Sequence, residues 1–245
     1  MKTKIIALIT LALMFVGLQN AFSQNAQQIL QKVDQVTTGP KDVYQKVKIT
    51  LIDRNGRKET RIGELWQKGS DKRLFRFIQP AAYRGIGILS LPHDVMYLYM
   101  PAYGRVRRIA SSVKNQKFAG TDLTYDDMQA KNYTEKYTAK LLKSDNQFYW
   151  LQLTPKDRHS PYSKVILKVN KQNFTPVYAE SYDKGGHKVK TLKTQFVKQG
   201  KYWTAKTVTV TDLKRHHTTI MTALITKYDQ GLSDNIFTVR NLQHF

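Results

Sequence analysis

The chain has no cysteine among its 245 residues. That excludes a disulfide framework, a thiolate metal site and a cysteine nucleophile. Acidic residues are also scarce: 18 Asp and Glu stand against 40 Lys and Arg, a formal net charge of +22. Long apolar runs are missing as well. The one run of note, Ile5 to Leu18, falls short of the roughly 20 residues a membrane-spanning helix needs.

Signatures of catalysis are absent in the same consistent way. No Gly-x-Ser-x-Gly elbow, His-Glu-x-x-His helix or phosphate loop occurs. Gly85-Ile86-Gly87-Ile88-Leu89-Ser90 resembles part of a dinucleotide fingerprint, but its last glycine is missing and no helical pattern follows. His216 and His217 are neighbours, so on a strand they point to opposite faces and cannot share a metal. His93, His159, His187 and His244 are scattered through polar turns and the tail, and all six histidines read as exposed. Asp122, Asp126 and Asp127 lack the glycine and terminal glutamate of a calcium loop. They read instead as caps or ion-pair partners, with Arg105, Arg107 and Arg108 just upstream as candidates. No enzyme activity, no cofactor and no metal is expected.

What is present begins with Lys2 and Lys4, the apolar run, and then Ala21-Phe22-Ser23. This is the order of a cleaved secretory signal, predicted over residues 1–23; a retained interfacial anchor is the alternative. Without a cysteine near the cut, an acylated form is excluded. Residues 24–245 are then expected as a single exported domain, with no linker or repeat dividing them. Losing Lys2 and Lys4 lowers the positive charge only by two. So basic a surface attracts anionic headgroups or an acidic partner, unless it serves solubility alone. Export argues against nucleic acid as that partner.

Ala26, Ile29, Leu30, Val33 and Val36 recur at helical spacing, and Thr37-Thr38-Gly39-Pro40 stops the pattern. From Val43 onward the period changes to two. About a dozen strands follow at 8–12-residue spacing, punctuated by turn signals such as Asp53-Arg54-Asn55-Gly56 and Asp183-Lys184-Gly185-Gly186. One of those strands is drawn over Tyr133–Leu142. A sheet this wide curls towards a half-closed barrel with room inside. Val95–Met100 is apolar on both faces, one available for core and one for a lining, or both for core. Arg105 and Arg107 share a strand face and either clamp a phosphate or carboxylate or form a solvated basic strand.

Three segments carry a resemblance. They are Phe77-Ile78-Gln79-Pro80 with Tyr83–Leu89; Tyr97–Ala102 with Arg105–Ile109; and Phe118–Asp127, the most distinctive. Together they resemble the outer-membrane lipoprotein-sorting proteins, the LolA-like family. That resemblance implies a mainly β fold: a curved, incomplete antiparallel barrel with helices over its open side and an apolar cavity between. It implies a monomeric periplasmic carrier that takes lipoprotein acyl chains, or a related lipid, from an inner-membrane exporter to an outer-membrane acceptor. Contact with the membrane surface would be transient. The lining expected on this basis comprises Ile29, Leu30 and Val33 of the helix, with Leu65, Phe75, Phe77, Leu89, Met96, Leu98 and Met100. Arg105, Arg107 and Arg108 are expected to meet headgroups or a partner. The alternative is a module without cargo that binds acidic envelope surfaces or an export pump.

Overall fold

The structure, a computed structural model, describes residues 26–244. The expected signal segment lies outside the described residues. The first element is helix α1, residues 26–37, formed where the apolar stripe predicts it. Ala26, Ile29, Leu30 and Val33 are all buried, and Thr38 closes the last turn by donating its backbone N–H to Asp34 O at 2.8 Å.

Thirteen strands follow: β1 (Asp42–Ile52), β2 (Lys58–Lys68), β3 (Lys72–Gln79), β4 (Gly87–Leu91), β5 (Val95–Met100), β6 (Arg105–Arg108), β7 (Tyr137–Ser144), β8 (Phe148–Pro155), β9 (Tyr162–Asn170), β10 (Pro176–Asp183), β11 (Lys188–Gln199), β12 (Tyr202–Asp212) and β13 (His217–Tyr228). All belong to one antiparallel sheet in the order β6-β5-β4-β3-β2-β1-β13-β12-β11-β10-β9-β8-β7. The chain therefore starts in the middle of the sheet and walks outward hairpin by hairpin to β6. It then crosses to the opposite edge and walks back until β13 pairs with β1, from Val43↔Tyr228 to Ile52↔Thr218. The sheet is curved but not closed, because β6 and β7 are its free edges.

The crossover, residues 109–136, holds two short helices, α2 (Tyr125–Met128) and α3 (Tyr133–Lys136). A reciprocal capping box starts α2: Thr124 N donates to Asp127 Oδ2 at 2.8 Å and Asp127 N to Thr124 Oγ1 at 3.1 Å. Strand was predicted from Tyr133 onward, yet residues 133–136 are helical. The reason is tertiary. Buried Asp34 of α1 accepts from Tyr133 N at 2.7 Å, Thr134 N at 3.0 Å and Thr134 Oγ1 at 2.6 Å, satisfying the donors a helix start leaves open.

Both faces of the β1–β6 wing are covered. Inside, Phe75, Phe77 and Met96 pack with Phe118, Leu123 and Met128 of the crossover. Outside, Leu74 and Leu89 pack with Phe237 and Leu242 of the C-terminal segment, whose last turn is α4 (Val239–Gln243). Glycine makes that contact possible. A Cβ at Gly87 would stand 3.0 Å from Leu242 Cδ1 and 3.0 Å from Phe75 O. Buried Asp42 steers the chain onto this face by accepting from Gln230 N, Gly231 N and Leu232 N at 2.7, 2.9 and 3.0 Å.

On the opposite wing α1 covers the inner face. Ile29, Leu30 and Val33 pack against Leu151, Leu153, Val165, Leu167 and Val169 of β8 and β9. Gln27 Oε1 also accepts from Ala139 N of the edge strand β7 at 3.1 Å, which blunts one free edge.

Candidate binding cavity

Two covers leave the middle of the inner face bare. Strand alternation points Val43, Val47 and Ile49 of β1, Leu192 and Phe196 of β11, Trp203 and Val208 of β12 and Met221 of β13 inward, with Val47, Ile49, Leu192, Val208 and Met221 meeting the edge of the inner core. The result is a cavity of about 450 Å³, inside the roughly 300–1,000 Å³ range of ligand pockets. Its base is apolar, with Leu65, Phe75, Phe77, Phe118 and Leu123. Its rim is mostly polar and comes from both covers: Thr37 at the end of α1 with Thr38 and Pro40 just beyond, and Asp127, Gln129, Lys131, Tyr133 and Lys136 from the crossover and its helices.

Rim electrostatics follow from burial. Burial pushes the Tyr133 phenol up to about 12, with the carboxylates of Asp34 and Asp127 adding to the effect. Tyr137 is raised for the same first reason, so both phenols stay neutral. Desolvation works to raise the Asp127 carboxyl, but Lys190, 2.5 Å away, overrides it and holds the group at about 2. Arg73 of β3 has no such partner. Its Nε and Nη2 donate to Gln67 Oε1 at 2.9 and 2.6 Å, and its Nη1 to the Met128 and Gln129 carbonyls at 3.3 Å. Burial lowers its pKa to about 10.

Of the residues expected to line a cavity, Leu65, Phe75 and Phe77 do so. Ile29, Leu30 and Val33 are spent in the contact between α1 and the β8–β9 wing. Leu89 lies on the outer face under the C-terminal segment. Met96 is fully buried in the inner core and Leu98 packs against it, while Tyr97 and Tyr99 turn outward to the C-terminal cluster. Met100 is half-buried at the end of β5, away from the cavity wall. Both faces of β5 thus serve packing. The alternation of β11 to β13 was visible as strand, but only closure through the β1·β13 pairing shows that these strands face a void.

Arg105, Arg107 and Arg108 are exposed on the free edge strand β6. The bridges suggested between them and the acidic group do not form, because the crossover carries those carboxylates elsewhere. Asp126 pairs with Lys136 at 3.0 Å and Asp127 with Lys190. Asp122 is fully buried and accepts from Thr219 Oγ1 at 2.7 Å, with His217 Nδ1 at 2.6 Å. His217 is therefore no bland exposed histidine. It helps pin the crossover to β13, with a partner 95 residues away in sequence.

The wall also has a seam. The β12·β13 ladder runs only from Thr207↔Thr222 to Asp212↔His217. Beyond it the strands part, bridged by Lys206 Nζ donating to Ala223 O at 2.6 Å and by Thr204 Oγ1 with Tyr228 OH at 2.7 Å, while Gln199 Nε2 at the end of β11 donates to Thr226 O at 3.0 Å. Exposed Val197, Leu224 and Ile225 border this recess of about 420 Å³. Ala223 lines both it and the main cavity.

The matching family model, described as "Uncharacterized protein", spans residues 69–244. The search of curated proteins found no match. Among solved structures, the chain is similar to a Vibrio parahaemolyticus domain named for outer-membrane lipoprotein sorting, with 28% identity and a TM-score of 0.83 over 90% of this chain and 99% of that one. A DUF1329 family protein from Desulfovibrio piger matches with 28% identity and a TM-score of 0.84 over the same shares. A LolA superfamily protein from Nitrosomonas europaea matches with 26% identity and a TM-score of 0.74, covering 88% of this chain and 98% of that one.

Proposed function

Because this chain belongs to the LolA-like family of outer-membrane lipoprotein-sorting proteins, we propose that it is a periplasmic carrier holding acyl chains in its cavity. Its cargo is the acyl part of lipoproteins or a related lipid, taken from an inner-membrane exporter and passed towards the outer membrane. The single observation that carries this is the cavity: about 450 Å³ with an apolar base, kept empty of side chains by two covers that pack to either side of it.

Energetics suit that task. Hydrocarbon burial is worth about 0.8 kcal/mol per CH₂, so a carrier must nearly match what a bilayer offers and still release. The apolar base supplies the burial. The covers are fastened to one another by a few polar contacts, Asp34 to Tyr133 and Thr134 above all. No bond is made or broken. The Arg105, Arg107 and Arg108 edge adds headgroup or partner contact at the membrane.

The test is native mass spectrometry of protein purified gently from an envelope fraction, followed by titration of the delipidated protein with a fluorescent fatty acid. Co-purifying lipid and saturable, stoichiometric binding support the carrier. Repeated emptiness with no binding refutes it in favour of a cargo-free module that meets acidic surfaces through its exposed β6 arginines.

A further inference from the structure

Arg73 is the odd member of the cavity wall. Every other cation of that wall has a carboxylate partner. Lys131 meets Asp94 at 2.8 Å and Lys136 meets Asp126 at 3.0 Å. Asp127 meets Lys190, and Asp42 accepts from three backbone amides. Arg73 touches only neutral oxygens, one from Gln67 and two from backbone carbonyls, and has no carboxylate partner among the described residues. Those contacts use at most four of its five N–H bonds. Removing a cation from water with only neutral acceptors for company is unfavourable, and the group that relieves it best is a planar or tetrahedral oxyanion.

Its neighbours show what such an anion would be attached to. On the paired strands β2 and β3, Arg73 stands opposite Gln67, Phe75 opposite Leu65, and Phe77 opposite Gly63. Successive inward rungs thus run from polar to apolar, about 7 Å apart. A ligand with its acid at Arg73 lays its hydrocarbon towards Leu65 and Phe75, with fully buried Phe77 closing the base beneath. A small free anion leaves that apolar surface bare. A neutral lipid leaves the guanidinium without its partner.

We infer that the cargo is an anionic amphiphile whose carboxylate or phosphate pairs with Arg73 while its hydrocarbon fills the base of the cavity. The inference rests on the carrier reading and names the chemical class of its cargo. The other cations of the lining, Lys131 and Lys136, already have their carboxylates, which leaves Arg73 to set the preference.

The test titrates delipidated full-length protein at about pH 8 with palmitate and with hexadecanol, which share a chain length but differ in charge. Wild type binds palmitate about 10- to 100-fold more tightly, the span expected of one charge-assisted hydrogen-bonded pair. Arg73→Met binds the two alike at the hexadecanol level, and Arg73→Lys keeps part of the preference. Acetate and inorganic phosphate do not displace palmitate. Equal wild-type affinity for palmitate and hexadecanol overturns the inference and leaves the carrier intact; no binding of either overturns the carrier itself. A preference that survives in Arg73→Met removes Arg73 from the role. Displacement by inorganic phosphate makes the site one for small anions and overturns the amphiphile. Should the variants unfold on a thermal melt, the wild-type comparison alone decides.

Discussion

Replacing Asp34 with alanine isolates the fastening between the two covers. This carboxylate is 6% exposed and accepts three hydrogen bonds from α3, at 2.6 to 3.0 Å. Bonds to a charged acceptor contribute about 1.5–3 kcal/mol each, but three that share one carboxylate do not add. Water refills part of the gap, and alanine gains about 0.5 kcal/mol of helix propensity over aspartate. The net loss is about 3 kcal/mol. For a chain of this length each kcal/mol moves the melting temperature by roughly 2–4 °C, so Asp34→Ala lowers Tm by about 6–12 °C. Differential scanning calorimetry measures that shift, and hydrogen exchange locates it. Amides of residues 133–139 should lose protection, while those of β1 and β13, remote from this contact, keep theirs. A drop below about 2 °C with unchanged exchange at 133–139 refutes the idea that Asp34 holds the covers together.

Three further outcomes follow from the same geometry. The Asp127 carboxyl, held near 2 by Lys190 despite the opposing pull of desolvation, stabilises the fold fully above about pH 4 and ceases to do so as pH falls towards 2. Denaturant titrations across that window lose about 1–2 kcal/mol after allowance for its partial exposure, and Asp127→Asn flattens the profile. Phe196→Glu puts a charge on the bare cavity wall and should weaken hydrocarbon binding about tenfold or more at near-normal stability, whereas Leu98→Glu, against the inner core, should instead lower Tm; the opposite pattern would relocate the lining to β5. Replacing Arg105, Arg107 and Arg108 together by alanine should weaken binding to anionic vesicles by about 1 kcal/mol per residue at low salt, and by little at high salt. Vesicle co-sedimentation that is unchanged at low salt would show that the β6 edge does not face the membrane.

Much of the architecture was legible locally. The period-3.6 stripe of Ala26 to Val33 and the period-2 pattern after Val43 name the element types, since each is set by neighbours a few residues apart. Turn residues did the same for the hairpins: Gly56, Gly186 and Gly200 all adopt the positive φ their turns demand. The capping role of Asp127 was also legible, because a capping box is a contact three residues long. Residues 133–136 were misjudged as strand because their helix-starting partner, Asp34, is about a hundred residues away. His217 and its partner Asp122 escaped notice for the same reason. Leu89 and the β5 residues were assigned to the lining because an apolar side chain looks the same whether it meets the crossover, the C-terminal segment or a void.

By itself the sequence determined a mainly antiparallel β chain, rich in positive charge, with one amphipathic helix at the start of the described residues and a recognisable family pattern at residues 77–127. Those properties reside in short-range periodicity and composition, which no distant contact can change. Only the tertiary structure decided which apolar faces are packed and which are left open. The β1·β13 pairing joins the ends of the meander, the crossover fills one half of the inner face, and α1 fills the other. What lies between them is the cavity, and Arg73 looks into it without a carboxylate because the covers supply none there. Which side of a strand meets solvent, core or cargo depends on what the rest of the chain places against it.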